Sequence, residues 1–302
     1  MSATPAASLC RYSPALGTAA VAVLWGTSGV LVRDSTLSAV AITFGRAAVG
    51  AAALWLWEAV TPRGRGRASI RSYGKSQVRS LLWSGALLAV HWLTFVMALQ
   101  RAPIGTVLLG IYLAPLAIAG LAHRTLQERV TRRQATSLAL ALVGSVFVLQ
   151  PGQTGGLDGL TLIAVSALAY AGSTLASKKA LSTVPTIQVA AGQLAIAAVL
   201  LMPWLAIRPT LPSRVDLVVV TSLGLVYSAL ALLAYLAFLK RLPVTTAGIL
   251  LYLEPVSALV SGWIFLGEQP VPLTWLGACL VIAAGIMASK DSTSNTEQQQ
   301  AS

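Results

Sequence analysis

Three ionisable side chains lie inside long apolar runs of the sequence: Arg46, His91 and Glu254. A charged group is costly in a hydrocarbon environment, so each of the three is a candidate functional residue. The carboxyl of Glu254 can take up and release a proton, and the imidazole of His91 can do so near physiological pH. Arg46 can compensate the charge of Glu254, so we predict that these two residues form a coupling pair.

Each of these residues also has a structural interpretation. Glu254 can form a fixed hydrogen bond near Pro255, since a proline leaves the carbonyl of Leu251 without its helical donor. Arg46 lies about 12 Å into its run at the helical rise, too deep to reach the surface easily. It can instead pin its helix through an ion pair or carbonyl contacts. His91 can form an interhelical hydrogen bond.

Aromatic side chains occur at a similar depth in the runs and would suit flat, organic or cationic substrates. Core packing is the alternative for each of them. With the two ionisable groups, they give the predicted substrate-binding set: Trp25, His91, Trp92, Tyr112, Tyr170, Tyr252 and Glu254.

The composition is that of a polytopic membrane protein. Charged residues make up 10% of the chain and hydrophobic residues 56%, with a mean hydropathy of +0.76. A bilayer core about 30 Å thick needs roughly 20 mostly apolar residues per helix. The sequence supplies ten such runs and predicts an all-α protein whose main partner is the lipid bilayer. The predicted helices cover residues 15–32, 38–60, 81–99, 103–122, 135–150, 159–177, 186–206, 216–239, 244–266 and 272–289.

The chain contains an internal repeat. Residues 101–128 and 241–268 align at an offset of 140 positions with eight identities, which include Tyr112 with Tyr252 and Pro115 with Pro255. Such an offset indicates two copies of one unit. We predict a lead at 1–14, a first five-helix repeat at 15–150, a second at 151–289 and a disordered tail at 290–302. Ala114 occupies the position that corresponds to Glu254.

The distribution of positive charge predicts the orientation. Sixteen Lys and Arg residues fall in one set of alternate connections and termini, and four fall in the other. Positively charged loops stay in the cytoplasm. We therefore predict a multi-pass protein of the cell (inner) membrane with both termini cytoplasmic. The net charge of +12 lies in these loops and does not indicate nucleic acid binding.

Five helices in each repeat make the second repeat inverted relative to the first. Inverted repeats are common in secondary transporters, whose substrate sites lie near the membrane midplane between the halves. We expect a central cavity there that takes a small-molecule substrate. The sequence has no phosphate-binding loop, nucleotide fingerprint or Cys/His metal set, so we predict no cofactor, metal or ATP drive. Whether the protein forms a homodimer stays open.

Several segments together resemble the EamA family of the drug/metabolite transporter superfamily. They are LWGTSGVLV (24–32), ITFGRAAVGAAAL (42–54), the P-x11-P pattern of the fourth and ninth helices, and Glu128 and Glu268 before the next helix. The resemblance covers both halves and implies ten helices as two inverted five-helix repeats around a central cavity. It also implies export of amino acids or related metabolites. Because members differ in substrate, the substrate and the direction of flux stay open.

An intramembrane serine hydrolase is the alternative from another class. Ser28 lies in a G-x-S-G segment, and His91 could act as its base if the two side chains were in contact. This segment also has a purely structural interpretation, since glycine- and serine-rich turns are common in packed membrane helices.

The predicted orientation can be tested by labelling. A cysteine introduced near Asp158 or Asp216 should react with an impermeant reagent added outside the cell, because positively charged loops stay inside. A cysteine at Arg67 should be protected. The reverse pattern would overturn the orientation.

Overall fold

The computed structural model describes residues 13–32, 35–61, 73–102, 104–150, 155–205 and 212–300, and only the backbone for 291–300. These residues form ten successive helical segments. They are α1 (Pro14–Val32), α2 (Ala39–Val60), α3 (Lys75–Leu99), α4 (Ile104–Leu126), α5 (Arg132–Leu149), α6 (Gly156–Ala180), α7 (Thr186–Leu205), α8 (Arg214–Leu239), α9 (Val244–Leu266) and α10 (Pro272–Gln300). Most of the predicted lead and the arginine-rich segment at 62–72 lie outside the described residues.

Nine of these helices are long and apolar enough to cross a membrane, within the part of the chain that the structure describes. The all-α membrane class predicted from composition is confirmed. The exception is α5, which has 18 residues. Its first turn is Arg132-Arg133-Gln134, and these polar residues lower its mean hydropathy.

Two helix boundaries differ from the prediction by more than four residues. α10 continues to Gln300 instead of ending near residue 289, because no proline or glycine follows Gly285 to stop it. α3 begins at Lys75 instead of residue 81. There the side chain of Gln77 accepts a hydrogen bond from the backbone N–H of Gly74 at 2.7 Å, and this bond caps the start of the helix.

Helices α4 and α9 are both interrupted, at positions of the repeat that differ by one residue. α4 consists of Ile104–Ile111 and Ala114–Leu126, and α9 consists of Val244–Leu250 and Leu253–Leu266. A proline follows each interruption, and it lacks the N–H that would continue the helical ladder. Each helix therefore restarts as a half-helix in the middle of the bundle.

Helices α1 and α8 are irregular as well. α1 ends its first segment at Gly26 and resumes at Ser28. α8 contains a π-helical segment at Leu223–Leu230. π-helical segments are rare and occur frequently at functional sites.

The helices pack mainly as the pairs α3–α6, α5–α10 and α2–α7, and α1 contacts α8 and α9. The largest apolar cluster draws residues from α1, α2, α4 and α6 to α9. Glycines allow close backbone approach in these contacts. A Cβ added at Gly144 of α5 would lie 2.7 Å from the carbonyl oxygen of Gly277 in α10.

The α5–α10 contact generates a stability prediction. Gly144→Val should lower the free energy of unfolding by about 1–3 kcal/mol, because the added methyl groups overpack the interface. Gly120→Val is the matched control, since a Cβ there meets nothing within 4 Å. Thermal unfolding in detergent measures both. Equal effects of the two substitutions would show that the close α5–α10 packing does not contribute to the free energy of unfolding.

Candidate functional site

The interruption of α9 places Glu254 inside the bundle. Glu254 lies in the first turn of the half-helix Leu253–Leu266 and is half-buried. Its carboxyl interacts electrostatically with Tyr112 of α4 and Arg46 of α2. Since these partners come from other helices, the carboxyl lies among the helices of the bundle.

Arg46 is held by two contacts. Its Nε donates a hydrogen bond to Ser228 Oγ at 2.9 Å, and its guanidinium carbon lies 5.4 Å from the centroid of the Trp92 ring. A guanidinium over an aromatic face is stabilised by the ring quadrupole. These contacts leave the outer N–H groups of Arg46 available to another ligand.

Arg46 and Glu254 are not in direct contact. The one side-chain ion pair found among the described residues joins Lys178 to Glu128 at 3.8 Å. Arg46 and Glu254 nevertheless act on each other electrostatically. The site therefore contains two opposite charges that act on each other across more than 4 Å, and this separation is called the gap below.

The π-helical segment of α8 supplies acceptors to this region. A π turn shifts the backbone register and frees carbonyls from the helical ladder. The carbonyl of Tyr227 accepts a hydrogen bond from Trp25 Nε1 at 2.9 Å, and the Tyr227 hydroxyl lies 2.8 Å from Thr27 Oγ1. The next residue, Ser228, binds Arg46. The π segment thus joins the interruption of α1 to the charged pair.

His91 makes an interhelical hydrogen bond. Its Nδ1 lies 2.9 Å from Ser166 Oγ and 3.1 Å from the Ser166 carbonyl oxygen, and Ser166 Oγ donates to the His91 carbonyl at 3.0 Å. His91 is buried, and its ring centroid lies 5.0 Å from that of Tyr170. These contacts join α3 to α6. The hydrogen bonds of His91 thus go to Ser166 rather than to Ser28, the nucleophile of the hydrolase alternative.

Tyr112 and Tyr252 connect the two interrupted helices. Their ring centroids are 5.3 Å apart, and the hydroxyl of Tyr252 donates to the carbonyl of Tyr112. Both side chains are buried. A helix interruption leaves carbonyls without donors. The tyrosine of one repeat satisfies such a carbonyl in the other.

The predicted site residues therefore fall into two groups. One group is half-buried and lies around the gap: Trp25, Arg46, Trp92, Tyr170 and Glu254. The other group is buried and packs behind it: His91, Tyr112 and Tyr252. The sequence reasoning missed four residues that contact these groups, Ser166, Tyr227, Ser228 and Tyr235, and it missed Thr27, which contacts Tyr227. The polar pair Tyr227-Ser228 within an apolar run was an available signal.

Polar contacts also join distant segments at both ends of α8. Near its start, Asp216 accepts hydrogen bonds from Ser35 Oγ at 2.6 Å, from the Thr36 N–H at 2.9 Å and from the Ser213 N–H at 2.9 Å. These bonds fasten the α1–α2 connection to α8.

Near the other end of α8, Lys178 donates to the carbonyl of Leu239 at 2.6 Å and pairs with Glu128. Glu128 in turn accepts a hydrogen bond from the N–H of Val244 at 2.7 Å, at the start of α9. This contact joins the α4–α5 corner to α6 and α9.

A further polar contact joins the end of α2 to the start of α7. Gln188 Nε2 donates to Glu58 Oε1 at 2.7 Å, and the hydroxyl of Tyr73 donates to Gln188 Oε1. Burial, together with the nearby Glu58 carboxylate, raises the pKa of Tyr73. The hydroxyl therefore stays protonated as a hydrogen-bond donor.

Within the described residues, no cluster of three or more His, Cys, Asp or Glu side chains could hold a metal ion. A surface groove beside the start of α3 is lined by Tyr73, Lys75, Val78, Arg79, Leu82, Trp83 and Ala86. It lies away from the gap between Arg46 and Glu254.

A bundle of interrupted apolar helices around buried charges is the architecture of an integral membrane transporter. The chain belongs to the EamA-like transporter family, whose sequence model matches residues 13–150 and 157–289. The family resemblance noted from the sequence is therefore confirmed. The proteins of this family are transporters and not enzymes.

Similar proteins include named exporters. The threonine/homoserine exporter RhtA of Salmonella typhimurium is 31% identical over 225 residues, which cover 71% of this chain and 72% of RhtA. The uncharacterized transporter YwfM of Bacillus subtilis is 27% identical over 89% of this chain and 90% of its own length. A probable terminal-alkyne amino-acid exporter of Streptantibioticus cattleyicolor is 31% identical over 62% of this chain and 64% of its own length.

A solved crystal structure shares the fold. It superposes with a TM-score of 0.79 at 20% identity and covers 92% of this chain and 99% of its own length.

The hydrogen bond between Arg46 and Ser228 can be tested by stability. Ser228→Ala should lower the free energy of unfolding by about 0.6–1.7 kcal/mol, the range for interhelical hydrogen bonds in membrane proteins. Ser137→Ala is the matched control, because Ser137 Oγ is buried without a hydrogen-bond partner in the described part of the chain. Thermal unfolding in detergent compares them. A smaller loss for Ser228→Ala than for the control would contradict the assignment.

Proposed function

We propose that this protein is a secondary active exporter that moves an amino acid or a related small organic compound out of the cell by alternating access. The observation that carries the proposal is the half-buried, oppositely charged pair Arg46 and Glu254 beside an interrupted helix. In transporters such interruptions form the substrate site at the repeat interface.

The proposal includes ten membrane spans arranged as two inverted five-helix repeats, with α5 as the tenth span. At helical rise, its 18 residues extend about 27 Å, close to the thickness of a bilayer core. α5 also packs along α10, a candidate span.

The helix contacts support the repeat. When each helix is shifted by five, the α3–α6 contact corresponds to α8–α1. The α4–α6 contact corresponds in the same way to α9–α1, and α3–α7 to α8–α2; all six contacts occur. The equivalent interruptions of α4 and α9 support the same relationship.

The orientation follows from the distribution of positive charge, with both termini on the cytoplasmic side of the cell (inner) membrane. The Lys178–Glu128 contact then lies on the cytoplasmic side and the Asp216 contacts lie on the outer side. For alternating access, the two halves must rock so that one set of contacts opens while the other stays closed. Pro115 and Pro255 follow the interruptions, where the helices can bend.

Glu254 is the proposed coupling residue, and Arg46 is its partner. Because Ala114 occupies the equivalent position in the first repeat, a folding role shared by both halves does not explain the carboxyl. A carboxyl that faces an internal space can take a proton from one side and release it on the other as the halves rock. Bound substrate would bias the protonation state that each conformation prefers.

The similar proteins favour amino acids as substrates. RhtA is named for threonine and homoserine, and the Streptantibioticus protein is named as a probable amino-acid exporter. A metabolite screen tests the proposal. Cells that produce the protein should accumulate an amino acid or related compound outside, and cells without it should not. Proteoliposomes should then show flux of that compound under set pH gradients. Equal extracellular metabolites in both cell types would contradict export.

The coupling role of Glu254 generates a separate prediction. Glu254→Gln keeps the size of the side chain and fixes it in a neutral state, so flux in proteoliposomes at saturating substrate should lose its dependence on pH while the protein still folds. Glu268→Gln, the same change at an exposed helix corner, is the control and should retain the pH response. A Glu254→Gln variant with the pH response of the unaltered protein would make Glu254 a structural group.

A further inference from the structure

The gap between Arg46 and Glu254 has a definite chemical character. One side presents a guanidinium whose Nε is already bound to Ser228 and whose face lies over Trp92. The other side presents a carboxyl at the start of a half-helix, beside Tyr112. The two groups do not contact each other. A ligand between them therefore meets a fixed positive group and a fixed acidic group at the same time.

Removal of a charge from water is compensated in full only by close pairing and hydrogen bonds. If the role of these charges were to pin α2 to α9, a direct ion pair would be the stable arrangement. Arg46 instead bonds to Ser228 and lies over the Trp92 ring, and no ion pair within 4 Å joins it to Glu254 among the described residues. The site is thus arranged so that a ligand completes the pairing.

The charge arrangement distinguishes among ligand classes. An organic cation could pair with Glu254 but would leave Arg46 unsatisfied and would repel it. An organic anion could pair with Arg46 but would leave Glu254 unsatisfied and would repel it. A zwitterion with adjacent carboxylate and ammonium groups satisfies both sides at once.

We infer that the substrates are zwitterionic α-amino acids, with the carboxylate bound to Arg46 and the ammonium bound to Glu254. This inference rests on the proposed export function and adds the group-by-group assignment. Arginine suits this role because its planar N–H groups match the geometry of a carboxylate. The half-buried rings of Trp25, Trp92 and Tyr170 are placed to contact the substrate side chain.

A ligand series tests this assignment on the unaltered protein. The probes are the proteinogenic amino acids and homoserine, and for each one that binds, its carboxamide and its N-acetyl derivative. The carboxamide lacks the carboxylate, and the N-acetyl derivative lacks the ammonium. Binding to the purified protein is measured by competition and by thermal shift. Each derivative should bind about ten- to a hundredfold more weakly than the parent amino acid, because it loses a hydrogen bond to a charged group and such a bond contributes this much to affinity.

Variants identify which protein group contacts which substrate group. Arg46→Gln should weaken binding of the amino acid about ten- to a hundredfold but should leave binding of the carboxamide unchanged. Glu254→Gln should weaken the amino acid and leave the N-acetyl derivative unchanged. Arg101→Gln and Glu268→Gln make the same chemical changes at exposed positions and should bind like the unaltered protein. Arg46→Lys keeps the positive charge if Arg46→Gln does not fold.

The outcomes separate this inference from the proposed function. Derivatives that bind as well as the parent amino acid, or export of a pure cation or anion in the metabolite screen, would overturn the zwitterion assignment while export stands. Equal losses for the amino acid and both derivatives in each variant would also overturn it. The absence of any exported compound would refute the proposed function itself.

Discussion

The structure depends on the placement of two opposite charges within a bundle of apolar helices. In a lipid environment a charged group must find its partners within the protein, because water is not available from the membrane side. Arg46 meets this requirement through Ser228 and the ring of Trp92. Glu254 meets it through its position at a helix start and through Tyr112. Neither residue uses the other as a direct partner.

The irregular segments of α1, α8 and α9 serve this arrangement. The interruption of α9 follows from Pro255 and places Glu254 at the first turn of a half-helix. The π segment of α8 turns Ser228 toward Arg46 and frees the Tyr227 carbonyl for Trp25. Regular helices would satisfy these backbone groups internally and would offer fewer acceptors to side chains.

The two repeats share the interrupted helix and its tyrosine, but they differ at the position of Glu254. The first repeat contains the same interruption and the same tyrosine, and Tyr252 satisfies the carbonyl of Tyr112 across the pair. The charge occurs only in the second repeat, where Glu254 replaces the alanine of the first. A duplicated scaffold therefore carries a single carboxyl at the interface of its two interrupted helices.

Much of this was accessible from the sequence. Composition predicted the membrane class, and the charges within apolar runs indicated Arg46 and Glu254. The proline spacing indicated where α4 and α9 are interrupted. Each of these inferences rests on a free-energy cost that the local sequence sets in any fold, such as a charge in an apolar run or a proline in a helix.

Other features depend on packing, which the sequence does not reveal. The π segment forms where Gly224 lies against Val49 of α2, and no local pattern specifies it. The partner of His91 is Ser166, 75 positions away, and serines are common in packed helices. Hydropathy placed α5 among the spans, although its basic first turn separates it from the other nine helices.

A structure determined with a bound amino acid would show directly how Arg46 and Glu254 are used. We expect the substrate to lie between α2 and α9, with its carboxylate on the guanidinium of Arg46 and its ammonium on the carboxyl of Glu254. A bound amino acid that contacts neither group, with Arg46 and Glu254 in a direct ion pair, would contradict it.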